Sequence, residues 1–122
     1  MSETFIDWNT DEGLVLMERT RCWTATGEQL QVVMTTIEPG REFPAHSHPH
    51  EQFCVVLSGT FEFDVDGSGS RALGPRGVFY FEPNQAHGGR VIGDEPVTLL
   101  EAFHPVRHDY TAESTIDHDV PQ

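Results

Sequence analysis

His46 and His48 stand two residues apart, and on an extended strand such a pair points to one face. Gln52 has the same parity, provided the strand runs unbroken through Pro49 and His50. Two imidazoles and an amide oxygen on one face make up most of the coordination shell of a divalent metal. A fourth ligand has to come from elsewhere in the chain. His87, in the turn-forming run Glu82-Pro83-Asn84-Gln85-Ala86-His87-Gly88-Gly89, is the candidate. Glu51 competes with Gln52, but its parity turns it away from the two histidines. The alternative for all three histidines is an ordinary place in a loop or core. Ligand softness does not choose the ion, so the expectation is one divalent transition metal: Ni, Zn, Mn, Fe or Co. Three neutral imidazoles and a neutral amide leave the ion's charge uncancelled. Such a centre favours holding and polarising a small anionic substrate over redox work.

The elements that must position these residues read as strands. Residues 14–19, 31–37, 52–57, 78–81, 90–92 and 97–103 are short, rich in β-branched and aromatic residues, and bounded by Gly, Pro or Asp. Phe61, Phe63 and Val65 alternate with Glu62, Asp64 and Asp66, the period of a half-buried strand. Only residues 111–116 hint at a helix. The expected fold is all-β, an antiparallel sandwich or barrel in one domain spanning 13–112. Residues 1–12 form an arm in which Phe5, Ile6 and Trp8 can dock on the domain's own edge or on a second subunit. Residues 113–122 form a flexible tail.

Composition narrows the partners. Twenty acidic residues face seven basic ones in 122, a net charge of −13, and every basic residue is arginine. That balance argues against nucleic acid or an anionic membrane as partner. It fits either a high-salt host or a GC-rich genome. No apolar run reaches membrane-spanning length and no leader pattern opens the chain, so a cytoplasmic protein is expected. Cys22 and Cys54 lack paired spacing and read as two reduced thiols, although a disulfide between them stays open.

With the strands placed, the spacing becomes recognisable. Gly40, His46-x-His48, Gln52 and Gly59 resemble the first motif of the cupin superfamily, with glutamine where glutamate is usual. Gly77, Pro83 and His87 resemble its second motif. The resemblance implies a jelly-roll β-barrel with a metal inside one mouth, and a homodimer. The ending Glu101-x-Phe103-x-Pro105-x-Arg107-x-Asp109 resembles the small pectin-degradation (KdgF-like) cupins. These convert cyclic 4,5-unsaturated monouronates to linear keto acids over a shell of three histidines and a glutamine. That family carries aspartate where this chain has Glu101. The resemblance implies that Glu101 is the general acid/base, Phe103 walls the pocket and Arg107 clamps the substrate carboxylate. Tyr80 and Arg90, flanking the second motif, are further candidates for substrate contact. Each has a plainer alternative: a solvated strand residue for Glu101, core packing for Phe103, and a surface pair with Asp109 or Glu113 for Arg107. For Tyr80 the alternative is a strand aromatic, and for Arg90 a surface charge. Other enzymes on the same scaffold, such as a polyketide cyclase or a lyase or isomerase of a small organic acid, remain open. So does a non-catalytic metal- or ligand-binding cupin.

Overall fold

The computed structural model describes residues 4–110. After a short turn of helix at Trp8–Thr10, the strands in chain order are β1 (Leu14–Met17), β2 (Thr20–Thr26), β3 (Gln31–Ile37), β4 (Glu42–His46) and β5 (Glu51–Ser58). They continue as β6 (Thr60–Val65), β7 (Gly69–Leu73), β8 (Val78–Phe81), β9 (His87–Ile92) and β10 (Val97–His104). Six of them form one antiparallel sheet in the order β1-β2-β3-β10-β5-β8, and four form a second in the order β4-β9-β6-β7. Among the described residues no ladder joins the two sheets. The jelly roll is therefore a sandwich of two faces and not a closed barrel. The anticipated tail and the segment 111–116 lie outside the described residues.

Alternation decides which side chains enter the core. On β6, Phe61 and Phe63 are buried while Glu62 and Asp64 face out. On β8, Phe79 and Phe81 are buried and Val78 and Tyr80 exposed. Phe61 and Phe63 meet Phe79, Phe81, Val56 and Leu99 of the opposite sheet in one cluster, and Leu16, Met17, Val33, Phe103 and Tyr110 form a second. Cys22 and Cys54 are both buried and both free thiols. No helix among the described residues is long and apolar enough to cross a membrane. Of the N-terminal arm, Trp8 docks on its own domain, its indole donating to the Thr24 carbonyl at 3.1 Å, while Phe5 and Ile6 are exposed.

One departure from the sequence reading matters for the site. The stretch from His46 to Gln52 is not one strand. β4 ends at His46 in the four-stranded sheet, the chain crosses through residues 47–50, and β5 begins at Glu51 in the six-stranded sheet. Neighbouring β9 starts at His87 and not at Arg90, and pairs it directly with His46. Gly88 permits that approach: a Cβ there would lie 2.7 Å from Ala45 N and from Phe43 O. The turn between β5 and β6 likewise requires Gly59, whose φ is +77.

Candidate metal centre

The three histidines converge from different elements. His46 closes β4, His87 opens β9, and His48 lies in the crossing between the sheets, buried. One nitrogen from each lies within 4.8 Å of the others. The His46 and His87 rings are 4.7 Å apart, and His48 meets His87 edge-on at 5.0 Å. These three histidines are placed so that they could hold a metal ion.

Their hydrogen bonds prepare them for it. His87 Nδ1 faces the Gln85 carbonyl at 2.9 Å, and His46 Nδ1 faces the Pro44 carbonyl at 3.2 Å. A carbonyl oxygen only accepts, so Nδ1 carries the proton in both rings and Nε2 is the nitrogen that bears the lone pair. The His87 ring lies flat on Phe81 at 3.9 Å, which fixes its plane. Burial lowers the pKa of His48 from 6.5 to about 3 and that of His87 to about 4, so both are neutral at physiological pH.

Gln52 joins His46 and His87 on one cavity wall, by a different route from the one its parity suggested. It is the second residue of β5 and reaches the histidines from the opposite sheet. Its Oε1 is buried without a partner among the described residues, as are both ring nitrogens of His48. Buried polar atoms seldom stay unsatisfied. An amide oxygen and imidazole lone pairs converging in one place suit a divalent transition metal, so the residues present fit the group.

A cavity of about 60 Å³ is lined among others by His46, Gln52, His87, Glu101, Arg107 and Tyr110. Glu101 is buried there, accepting from Thr35 Oγ1 at 3.0 Å and from Gln52 Nε2 at 2.8 Å. Burial raises its pKa from 4.5 to about 7 against the Thr35 hydrogen bond and the Arg107 charge, which pull it down. Glu101 is thus no solvated strand residue. Arg107 is buried too, stacked over Tyr110 at 4.3 Å and Phe103 at 5.1 Å. Its Nε and Nη2 donate to Asp109, and Gln31 grips its backbone N–H and carbonyl at 3.0 and 3.1 Å. Among the described residues Nη1 and the second Nη2 hydrogen donate to no further partner, which leaves an edge that a carboxylate can meet.

Three expectations about the pocket need correction. Phe103 does not line the cavity; it is buried behind His48, 6.1 Å between ring centroids, and supports Arg107. Tyr80 faces out of the six-stranded sheet, where its hydroxyl donates to Glu51 and its ring packs on Phe53 at 4.8 Å. It shares neither face nor cavity with the histidines because Phe79 and Phe81 take the inward positions of β8. Arg90 faces out of the other sheet, directly opposite Glu42 and Glu62, and binds both together with Asp64. Sequence reasoning missed Thr35, Gln31 and Tyr110. The first two carried a signal: polar residues at the inward parity of β3, whose other inward members are Val33 and Ile37. His50 packs against His48 at 5.2 Å with a buried Nδ1.

Comparison with known proteins agrees with this architecture. The family model described as "Cupin domain" matches residues 33–103, more than half of the chain. The structure of KdgF from Halomonas sp. superposes with a TM-score of 0.80 at 22% identity, covering 88% of this chain and 100% of that one. An RmlC-like cupin from Shewanella frigidimarina gives 0.82 at 25% identity, covering 90% and 97%. In sequence, the chain is 28% identical over 95 residues to dimethylsulfoniopropionate lyase DddQ of Ruegeria pomeroyi, covering 72% of this chain. It spans 47% of that protein, about half its length. The jelly-roll sandwich, the three histidines at its mouth and the matched motif region together show that this chain belongs to the cupin domain family.

Proposed function

We propose that the protein is a metal-dependent cupin enzyme that converts a cyclic 4,5-unsaturated monouronate, or a similar small sugar acid, to its linear keto form. The observation that carries the reading is the buried Glu101 carboxyl in one small cavity with the Arg107 guanidinium and two of the histidines. A bound divalent metal would supply Lewis-acid polarisation of substrate oxygen atoms. Arg107 would hold the substrate carboxylate through its free edge. Glu101, with its pKa near neutrality, suits a group that both takes and returns a proton. In the net change the anomeric hydroxyl loses its proton and the bond from the anomeric carbon to the ring oxygen breaks. The enolate left behind becomes a ketone as the alkene carbon takes a proton, so atoms and charge balance. Leu99 and Phe43, also on the cavity wall, keep the site dry.

The small cavity argues against a polyketide. A second reading is a lyase of a small organosulfur acid, favoured by the match to dimethylsulfoniopropionate lyase. Free buried thiols suit a cytoplasmic protein, and the buried Arg107 guanidinium suits a small anionic substrate. The deciding assay incubates metal-analysed protein with 4,5-unsaturated galacturonate and mannuronate monomers, follows the double-bond absorbance, and runs dimethylsulfoniopropionate in parallel. Loss faster than the spontaneous rate, abolished by chelation and by Glu101→Gln with the metal retained, is expected. No acceleration on either uronate sinks the sugar-acid reading, and turnover of the sulfonium acid instead establishes the second.

A further inference from the structure

Three polar side chains form a diagonal across the inward face of the six-stranded sheet: Thr35 on β3, Glu101 on β10 and Gln52 on β5. The strand register sets the line. Glu101 lies opposite Val33 on one side and Cys54 on the other. Thr35 and Gln52 are therefore its diagonal neighbours, within reach of long side chains. All three are buried, and Glu101 accepts on both oxygens, from Thr35 Oγ1 at 3.0 Å and Gln52 Nε2 at 2.8 Å.

An amide side chain can turn either end toward a neighbour, and the neighbour decides which. A carboxylate offers acceptors only, so Gln52 meets it with its NH₂ group. The same rotation leaves Oε1 on the other side, buried and without a partner among the described residues, in the cavity that His46 and His87 also line. We propose that Glu101 is a positioning residue for the metal centre: it orients the Gln52 amide so that Oε1 ligates the ion, and Thr35 locks the carboxylate in place. The charge on Glu101 also polarises the amide and strengthens its oxygen as a donor. Glu101 thereby has a task separate from proton transfer. The inference rests on the metal-centre reading and on no particular substrate.

Zn(II) affinity, measured by competition with a chromogenic chelator on metal-stripped protein, tests it without any turnover. The visible spectrum of the Co(II) form reports the ligand set. Glu101→Leu removes the acceptor while replacing a buried charge by an apolar group, and thermal melting of the stripped protein checks that it folds. Its Zn(II) affinity should fall by about 10–100-fold, the usual cost of losing an outer partner of a ligand. Its Co(II) spectrum should change as well. In Glu101→Gln the new amide oxygen can still accept from Gln52 while its NH₂ donates to Thr35, so affinity and spectrum stay close to wild type. Thr35→Val, which keeps the carboxylate but frees it, should weaken Zn(II) binding in the same direction as Glu101→Leu, and less. Wild-type affinity and spectrum in both Glu101→Leu and Thr35→Val overturn the positioning role while leaving the metal centre standing. A wild-type protein that takes up neither ion overturns the metal centre and the proposal with it.

Discussion

At the scale of the residue, the site shows how burial sets chemical character. The same dry interior keeps His48 and His87 neutral and Glu101 half-willing to hold a proton, because each charged form would have to give up water. The two cysteines feel it as well. Burial, reinforced by the nearby Glu101 charge, pushes the Cys22 thiol from 9.0 up to about 12 and raises Cys54 well above 9.0. The thiolate is the reactive form, so neither sulfur should react with a disulfide reagent in the folded protein near neutral pH. Titration with Ellman's reagent is expected to find both thiols silent in buffer and both reactive in denaturant. A fast-reacting thiol in the native state would contradict the burial.

Among the elements, two features of the four-stranded sheet carry predictions. β4 and β9 bring His46 against His87 only because Gly88 has no side chain. Gly88→Ala would press a methyl group against the backbone of Phe43, Pro44 and Ala45. Overpacking of this kind costs about 1–3 kcal/mol. Urea unfolding should show that loss together with weaker Zn(II) uptake, because the two histidines are forced apart. On the outer face of the same sheet, Arg90 ties Glu42, Glu62 and Asp64. Ser70 and Arg90 hold the Asp64 carboxyl below its ordinary 3.8. A carboxyl depressed by folding contributes stability above its unfolded pKa and loses it as pH falls through the folded value. Arg90→Ala should therefore destabilise the protein at neutral pH, and the deficit should shrink in strong acid and at high salt. Carboxyl-detected NMR should show Asp64 titrating higher in the variant. An unchanged titration would mean that Ser70 alone sets it.

For the whole molecule, the outward face of the six-stranded sheet has an uncharged centre, with Arg21 and Glu51 at its margins. Two rows cross it, Ala25-Val32-Ala102-Phe53-Tyr80 and Trp23-Met34-Leu100-Val55-Val78, read from the strand register. Phe53 is 50% exposed and Val78 51%. In a chain of net charge −13, two copies repel one another through almost any other surface. We propose that this face pairs two copies of the chain. Light scattering on the eluting protein should then give twice the chain mass, and Phe53→Glu should give the monomer with metal uptake intact. A wild-type monomer at micromolar concentration would remove the proposal.

Much of this was legible in the chain. Alternation placed β3, β6, β8 and β10 and showed that Glu101 and Phe103 share a face, because strand periodicity is a local property of the backbone. The histidine spacing and the second motif named the three histidines that the fold brings together and that could hold a metal ion. The cupin architecture followed from the same motifs, and the matched family region agrees with it. Parity stops counting where a strand stops, and here it stops between His46 and Glu51. Gln52 reaches the site from the other sheet, so its arrival was decided by how the sheets pack and not by its distance from His48. Tyr80 and Arg90 sit near the second motif in sequence, yet their strands turn them outward. The contacts that define the centre of the site join residues 49, 66 and 76 positions apart: Gln52 to Glu101, Thr35 to Glu101, and Gln31 to Arg107. Only the pairing of β3 and β5 on either side of β10 brings those residues together, and strand pairing is a long-range choice that no local pattern encodes.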